Sequence, residues 1–340
     1  MRRKRAILVI AAAALWLSMG ATGARAADTY ALLKQAVSAD DRVSFSGTIT
    51  SLVYGREATS ATIVRVEHRA PNLWRLWYVA PADAYGRLIV SNESVQYQYE
   101  PKTGKVFSND WVSPLASSLD IPRIRRNYAV QVAEQATIAG RGALTLSLVS
   151  NYSHTLAQRL WIDRATNLVL RREIYHADST LAAKTEFDNI TFVKELPPDL
   201  FKMTVPAGMT LVPGTDYGTA TPDLTSLTNQ LKFKAVAPRD LADGFAFEKG
   251  SVEMRGGVQS VEFVYSDGLR SLSLFENPTG NFPQFDGPAA KPIQVAKANG
   301  KYQSLTGQTL LSWNAAGLNF TMVGDITPKE LARIASLIKT

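Results

Sequence analysis

The stretch Tyr265–Glu276, YSDGLRSLSLFE, places a Ser-Asp-Gly triplet between two apolar runs. The run before the triplet, Val261–Tyr265, and the run after it, Leu269–Phe275, are both typical of β-strands. An Asp-Gly pair between such runs is a strong signal for a hairpin, because glycine adopts positive φ at little cost. Serine and aspartate side chains also stabilise turns. The stretch therefore predicts a tight β-hairpin turn at Asp267-Gly268.

The N-terminus carries the pattern of a secretory signal peptide. Basic residues at positions 2–5 precede an apolar run, Ile7–Leu17, and Ala24-Arg25-Ala26 has the small-x-small form of a cleavage site. The apolar run is too short to span a bilayer, and no later stretch is long enough to do so. A cysteine for lipid attachment is absent from the cleavage site. We therefore expect cleavage after Ala26 and a soluble periplasmic protein.

The signal peptide accounts for most of the positive charge of the chain. The net charge of the full sequence is +7, but residues 1–26 carry five of the 37 basic residues and none of the 30 acidic ones, which leaves +2 after cleavage. A nucleic-acid-binding protein would show a basic excess on the mature domains, so no nucleic-acid partner is expected. Since the chain has no cysteine, disulfides, thiol catalysis and thiolate metal sites are excluded.

The first part of the mature chain predicts one helix followed by a series of short strands. Apolar residues recur at helical spacing over residues 28–39, and the period then changes to two. Strands are predicted at 43–53, 61–68, 72–79, 87–91, 94–99, 105–108, 128–133, 143–149, 158–163, 168–175 and 184–193. Short antiparallel strands joined by tight turns describe a meander that curls into a barrel or a deep half-barrel.

A linker and a second domain are predicted after this meander. Gly, Pro, Thr and Asp dominate residues 207–223, as expected of an interdomain linker. The second domain ends in a helix, because TPKE at 327–330 has the form of a capping box. The expected organisation is a signal peptide at 1–26, a first domain at 27–206, the linker at 207–223 and a smaller α+β domain at 224–340.

Several segments resemble the MucB/RseB family, periplasmic regulators of the sigma-E envelope-stress pathway. In the second domain the similar segments are VYSDGLRSLSLFE (264–276), LADGFAFEKG (241–250) and MVGDITPKELARIASLI (322–338). In the first domain they are FSGTI (45–49), AGRGALTLSL (139–148) and RLWIDRATNLVLRREIY (159–175). The middle of the first domain, residues 69–90, is more similar to LolA-type lipoprotein carriers.

This resemblance implies an α+β protein with an N-terminal LolA-like half-open antiparallel β-barrel, covering helices, and a smaller C-terminal α+β domain. It further implies an envelope-stress regulator that binds the exported domain of a membrane anti-sigma factor and shields it from proteolysis. A lipid-like or lipopolysaccharide-like ligand would release that partner. The alternative is a LolA-type carrier of lipids or lipoproteins, although a carrier needs only the barrel. Homo-oligomerisation stays open.

Aromatic residues concentrate in the first domain and suggest a ligand cavity there. The concave face of a curved sheet is a usual place for an apolar ligand. The residues predicted to line it are Phe45, Trp74, Tyr78, Tyr97, Tyr99 and Trp161. Ordinary sheet core is the alternative explanation for each of them.

The sequence IPRIRRNY contains the one tight basic cluster of the mature chain, Arg123, Arg125 and Arg126. These arginines either lie in a solvated loop or contact an anion. That anion would be a lipid headgroup or an acidic residue of a partner.

No motif nominates a catalytic site. GxSxG, HExxH, P-loop and GxGxxG patterns are absent from the contexts that would give them meaning. The three histidines, His68, His154 and His176, lie on or beside predicted strands without metal-ligand spacing, and none is near Ser266. We therefore expect no enzymatic activity, no metal and no cofactor. A glycosidase-type carboxylate pair has no fixed sequence spacing and stays open.

Overall fold

The computed structural model describes residues 20–340 except 56–57, 93–94, 111–118, 206, 214–219, 256, 280–288 and 306. Most of the predicted signal peptide, residues 1–19, lies outside the described residues. The described residues form two separate β-sheets. Among them, none of the helices combines the length and the apolar character that a membrane crossing requires.

The N-terminal sheet has twelve strands in the order β12-β6-β5-β4-β3-β2-β1-β11-β10-β9-β8-β7. The strands are β1 (Phe45–Tyr54), β2 (Thr59–Arg69), β3 (Leu73–Ala80), β4 (Leu88–Asn92), β5 (Val95–Glu100), β6 (Lys105–Asp110), β7 (Tyr128–Ile138), β8 (Arg141–Ser150), β9 (Leu156–Asp163), β10 (Val169–Tyr175), β11 (Leu181–Phe192) and β12 (Thr210–Pro213). Every pair except β12–β6 is antiparallel, and the two end strands do not pair with each other. The antiparallel meander is therefore confirmed as an open sheet, and its half-barrel shape stays a prediction.

Two helices pack on this sheet, α1 (Gly20–Val37) and α2 (Ile121–Asn127). Leu33 of α1 and Ile124 of α2 are fully buried in one cluster with the sheet residues Leu146 and Leu160. The first helix was predicted at 28–39, whereas the observed helix begins earlier and ends two residues sooner. The core cluster stabilises the C-terminal half of α1, where Leu33 and Ala36 are buried.

The predicted linker at 207–223 is only partly a linker. Its residues Thr210–Pro213 form β12, which pairs in parallel with Lys105–Ser108 of β6. Near the end of the linker, Thr221 forms a bridge with Gly250 of the C-terminal sheet. An edge strand presents unpaired N–H and C=O groups, and the departing chain satisfies some of them. The domain boundaries at 206 and 224 stay predictions, and residues 214–219 lie outside the described residues.

The C-terminal sheet has seven antiparallel strands in the order β13-β14-β15-β19-β18-β17-β16. The elements are α3 (Leu224–Asn229), β13 (Ala246–Arg255), β14 (Val258–Ser266), β15 (Ser271–Pro278), β16 (Lys291–Val295), β17 (Ala298–Leu305), β18 (Gln308–Ala315), β19 (Leu318–Gly324) and α4 (Pro328–Ser336). Its core includes a stacked pair, Trp313 and Phe320, whose ring centroids lie 5.0 Å apart. The predicted closing helix is confirmed, because the Thr327 hydroxyl accepts a hydrogen bond from the Glu330 amide at the start of α4.

Candidate functional site at the joint between the two sheets

The turn between β14 and β15 is held by two side chains that accept hydrogen bonds from backbone amides. Ser266 Oγ accepts from the amide of Gly268 at 3.0 Å. Asp267 Oδ1 accepts from the amides of Leu269 and Arg270 at 2.9 and 2.8 Å. Gly268 has a φ of +105°, which side chains with a Cβ rarely adopt. The hairpin turn predicted from the Ser-Asp-Gly triplet is therefore confirmed.

The same turn also contacts the N-terminal sheet. The Tyr128 hydroxyl donates to Asp267 Oδ2 at 2.5 Å, and Asn127 Nδ2 donates to the carbonyl oxygen of Asp267 at 2.8 Å. Asn127 Nδ2 also lies 3.1 Å from the carbonyl oxygen of Gly244, and Arg123 donates to the carbonyl oxygen of Ser266 at 3.0 Å. We refer to this set as the joint: Arg123, Asn127, Tyr128, Gly244, Ser266, Asp267 and Gly268.

The joint is shielded from solvent. The exposed fractions of Asn127, Tyr128 and Asp267 are 3%, 1% and 5%. Burial, reinforced by the neighbouring Asp267 carboxylate, raises the pKa of the Tyr128 hydroxyl, so this group stays protonated and donates. A buried carboxylate is tolerated only when hydrogen bonds satisfy it. One carboxylate thus supports both the hairpin turn and its contact with the other sheet.

Glycines allow the close approach of the two sheets. Gly244, Gly268 and Gly307 come from three different turns, and each has a positive φ. A Cβ on Gly268 would lie 3.0 Å from the Ile124 amide nitrogen, and one on Gly307 would lie 2.8 Å from His176 Cε1. A Cβ on Gly244 would overlap the Asn127 amide. A side chain at Gly244 or Gly268 would therefore force the facing atoms of α2 to shift, and one at Gly307 would force the His176 ring to move.

Three of the predicted cavity residues belong to a packed core. Phe45, Trp74 and Trp161 are at most 8% exposed and lie in one apolar cluster. The Phe45 ring meets Trp74 edge-on, with centroids 5.8 Å apart, and meets Phe187 at 5.5 Å. These side chains therefore fill the interior of the N-terminal sheet.

The other three, all tyrosines, do not share one face of the sheet. Residues that pair across neighbouring strands project from the same face, so Trp74, Ser91 and Gln96 share one face. Tyr78 lies four residues after Trp74 in the same strand and projects from that face as well. Tyr97 and Tyr99 are offset by one residue and project from the opposite face. Tyr78 is partly buried and packs against the core cluster that contains Trp74. The six residues therefore do not form a single cavity lining.

The three predicted basic residues also separate. Arg123 is engaged within the chain, because it donates to Ser266 in the joint and lies 3.3 Å from the Asp120 carboxylate. The Arg125 guanidinium lies 5.9 Å from the centre of the Tyr30 ring. Arg125 and Arg126 are exposed, so these two remain the predicted anion or partner contacts.

A histidine is completely buried in the aromatic core. His68 stacks on Trp74 with centroids 3.8 Å apart. Its ring nitrogens lie 3.0 Å from the Leu73 carbonyl oxygen and 2.8 Å from the Asp40 carbonyl oxygen. Burial lowers the pKa of His68, and the two carbonyl acceptors oppose this only in part.

We expect His68 to make the fold sensitive to mild acid. In the unfolded chain a histidine has a pKa of about 6.5, whereas the pKa of folded His68 is lower. The contribution of His68 to stability is therefore full above about pH 6.5. It is lost as the pH falls from there through the lower pKa of the folded state, because the unfolded state then binds more protons. Urea unfolding between pH 7.5 and 5 should show this loss. His68→Gln should reduce the pH dependence, and the exposed control His154→Gln should not. Parallel profiles for wild type and His68→Gln would contradict the assignment.

Comparison with known proteins places the chain in a family. The family model for the MucB/RseB N-terminal domain matches residues 28–205, more than half of the sequence. The chain belongs to the MucB/RseB family.

Solved structures extend the likeness of this MucB/RseB family member to both sheets. A chain from the MucA/MucB complex of Pseudomonas aeruginosa matches with 16% identity and a TM-score of 0.58, covering 91% of this chain and 97% of that one. MucB in complex with MucA(peri) matches with 17% identity, a TM-score of 0.59 and the same coverage. These matches establish a shared fold. No curated protein sequence matches the chain.

The LolA-like description of the first domain remains a prediction. A LolA superfamily protein from Nitrosomonas europaea matches with 12% identity and a TM-score of 0.28, covering 52% of this chain and 97% of that one. A score this low supports no argument about the fold.

Sequence reasoning missed the N-terminal half of the joint. Asn127 and Tyr128 directly follow the basic cluster, and no local pattern distinguishes them from other polar residues beside a strand. One signal was present on the C-terminal side. Asp243-Gly244 repeats the Asp-Gly pair of the hairpin, and Asp243 and Gly244 both have positive φ. That pair could have indicated a second tight turn.

Proposed function

We propose that this chain is a periplasmic regulator that binds the exported domain of a membrane-anchored anti-sigma factor. The observation that supports this proposal is the extent of the likeness to MucB in its complexes with MucA, which covers 91% of this chain and therefore both sheets. A lipid carrier would require only the N-terminal sheet. The C-terminal sheet is then the part that a regulator needs and a carrier does not.

The joint suits this role because it holds the two sheets in one orientation. A partner that contacts both sheets would otherwise have to order them on binding, at a cost in affinity. The buried Asp267–Tyr128 hydrogen bond and the close glycine contacts fix that orientation in advance. The proposed partner surface therefore includes residues of both sheets.

Release of the partner by a lipid-like ligand is the second part of the proposal. The partly buried side chains of Val64, Tyr78 and Ile89 border the aromatic core and offer an apolar place for an acyl chain. Each buried methylene would contribute about 0.8 kcal/mol. A ligand that favours the partner-free arrangement lowers partner affinity by the same factor by which the partner lowers ligand affinity.

Isothermal titration calorimetry of residues 27–340 tests both parts. The titrant is the exported segment of the anti-sigma factor encoded beside a sigma factor in the same genome. We expect saturable binding that weakens when lipopolysaccharide or a fluorescent fatty acid is added. A folded protein that binds no such segment contradicts the regulator. Binding of the fatty acid without binding of the segment would favour the carrier.

A further inference from the structure

A cleft lies where the two sheets meet, away from the joint. It has a volume of about 190 Å³ and is formed by three segments: the turn after β10 (176–178), residues 304–305 and 307–309 between β17 and β18, and the segment leading into α4 (325–328). His176 Nδ1 lies 2.7 Å from Asp325 Oδ2 and connects the two sheets at the edge of this cleft. We call it the seam cleft.

Among the described residues, the lining of the seam cleft includes two carboxylates and no lysine or arginine. Asp178 accepts hydrogen bonds from the amide and the hydroxyl of Thr180 at 2.9 and 2.6 Å. These bonds lower the pKa of the Asp178 carboxyl, so it stays ionised at neutral pH. The second carboxylate, Asp325, lies at the same cleft, with its Oδ2 2.7 Å from His176 Nδ1. The cleft therefore favours a positively charged group.

Two further features suit a long side chain with a cationic end. Thr309 is 4% exposed, and among the described residues its hydroxyl has no hydrogen-bond partner. This hydroxyl can therefore bond with a donor or acceptor that enters the cleft. Leu305, 47% exposed, lies at the cleft and offers apolar surface. Lysine and arginine combine an aliphatic stem with a charged head in this way.

We propose that the seam cleft receives a lysine or arginine side chain from the exported segment of the anti-sigma partner. The inference rests on the proposed function and adds the chemistry by which the partner is recognised. Because both sheets form the cleft, its shape depends on their mutual orientation. A basic side chain seated there bridges Asp178 of one sheet and Asp325 of the other, so partner binding stabilises the docked arrangement.

Calorimetry with single substitutions tests the cleft. Asp178→Asn and Asp325→Asn should each weaken binding of the exported segment about tenfold, since a charge-assisted contact is lost. Both should also reduce the salt dependence of binding. Asp83→Asn, at an exposed turn of the N-terminal sheet, is the matched control and should bind as wild type does. Thr309→Val, which keeps the shape and removes the hydroxyl, should weaken binding to a smaller extent.

The partner's own cations complete the test. The lysines and arginines of the partner are replaced one at a time. One replacement should weaken binding to the wild-type protein but cause no further loss of affinity for the Asp325→Asn protein. If Asp178→Asn and Asp325→Asn proteins melt normally and their affinities for the segment are within about twofold of that of Asp83→Asn, the proposal for the cleft is wrong. The proposed regulator function is not affected by that result. No binding by wild type would overturn both. If the two substitutions changed only the oligomeric state of the protein, the occupant would be a second copy and the inference would be wrong.

Discussion

Asp267→Ala should lower the free energy of unfolding by about 3–5 kcal/mol, because it removes several hydrogen bonds to one buried carboxylate and each such bond contributes about 1.5–3 kcal/mol. The substitution removes the acceptor for the amides of Leu269 and Arg270. It also leaves the hydroxyl of Tyr128, which is 1% exposed, without its partner. Urea unfolding followed by tryptophan fluorescence and circular dichroism measures the change.

Two variants separate the contributions of Asp267. Tyr128→Phe keeps the turn and removes only the hydrogen bond between the sheets, so its cost should be about 1–3 kcal/mol. Asp199→Ala removes an exposed aspartate that pairs with Lys202 and should leave the unfolding midpoint unchanged. If Asp267→Ala unfolded at the same urea concentration as Asp199→Ala, the joint would not stabilise the protein.

The effect of Asp267→Ala on the distance between the two sheets can also be measured. Since the chain has no native cysteine, Val53→Cys and Met254→Cys can carry spin labels without background. These residues are 54% and 59% exposed and lie in different sheets. The distance distribution between the labels should be narrow in the wild-type background and broad with Asp267→Ala. A merely local turn defect would leave the distribution narrow.

Gly244→Ala should have an effect of similar size, through a different mechanism. Gly244 has a φ of +79°, so alanine would adopt a strained backbone conformation that costs about 1–3 kcal/mol. Its Cβ would in addition overlap the Asn127 amide, and overpacking of this kind costs about 1–3 kcal/mol more. The added methyl group would separate the turn at 242–244 from α2 and weaken the hydrogen bonds of Asn127.

Gly257→Ala is the matched control for this steric contribution. Gly257 has a φ of +82°, and a Cβ there would meet no atom within 4 Å. Both variants therefore carry the same backbone strain, and only Gly244→Ala carries the clash with the N-terminal sheet. Thermal and urea unfolding should show Gly244→Ala to be less stable by about 1–3 kcal/mol. Equal stabilities would mean that the sheets adjust freely, and the joint would then be loose.

Local signals predicted the individual elements of this chain well. The Asp267-Gly268 turn follows from a glycine that can adopt positive φ next to side chains that bond the backbone, and all of these atoms are within a few residues. The cap of α4 by Thr327 has the same local origin. The MucB/RseB resemblance was carried by such segments, and the family match confirmed it.

The predicted cavity shows where local signals stop. Tyr97 and Tyr99 were grouped with Trp74 because all are aromatic and lie in strands. Whether two such residues share a face depends on the register between strands, and a shift of one residue reverses it. The pairing of Trp74 with Ser91 and of Ser91 with Gln96 places the two tyrosines on the other face. Composition carries no information about that register.

The sequence by itself determined the strands of the first-domain meander, the hairpin turn, the final helix and the family, because each depends on periodicity or on contacts between near neighbours. Only the tertiary structure decided that Asp267 accepts from Tyr128, 139 residues away, and that His176 meets Asp325. It also placed part of the predicted linker on the edge of β6. Such contacts depend on how two sheets dock, and docking is set by shape and by the pairing of buried polar groups. These properties arise only after the chain has folded.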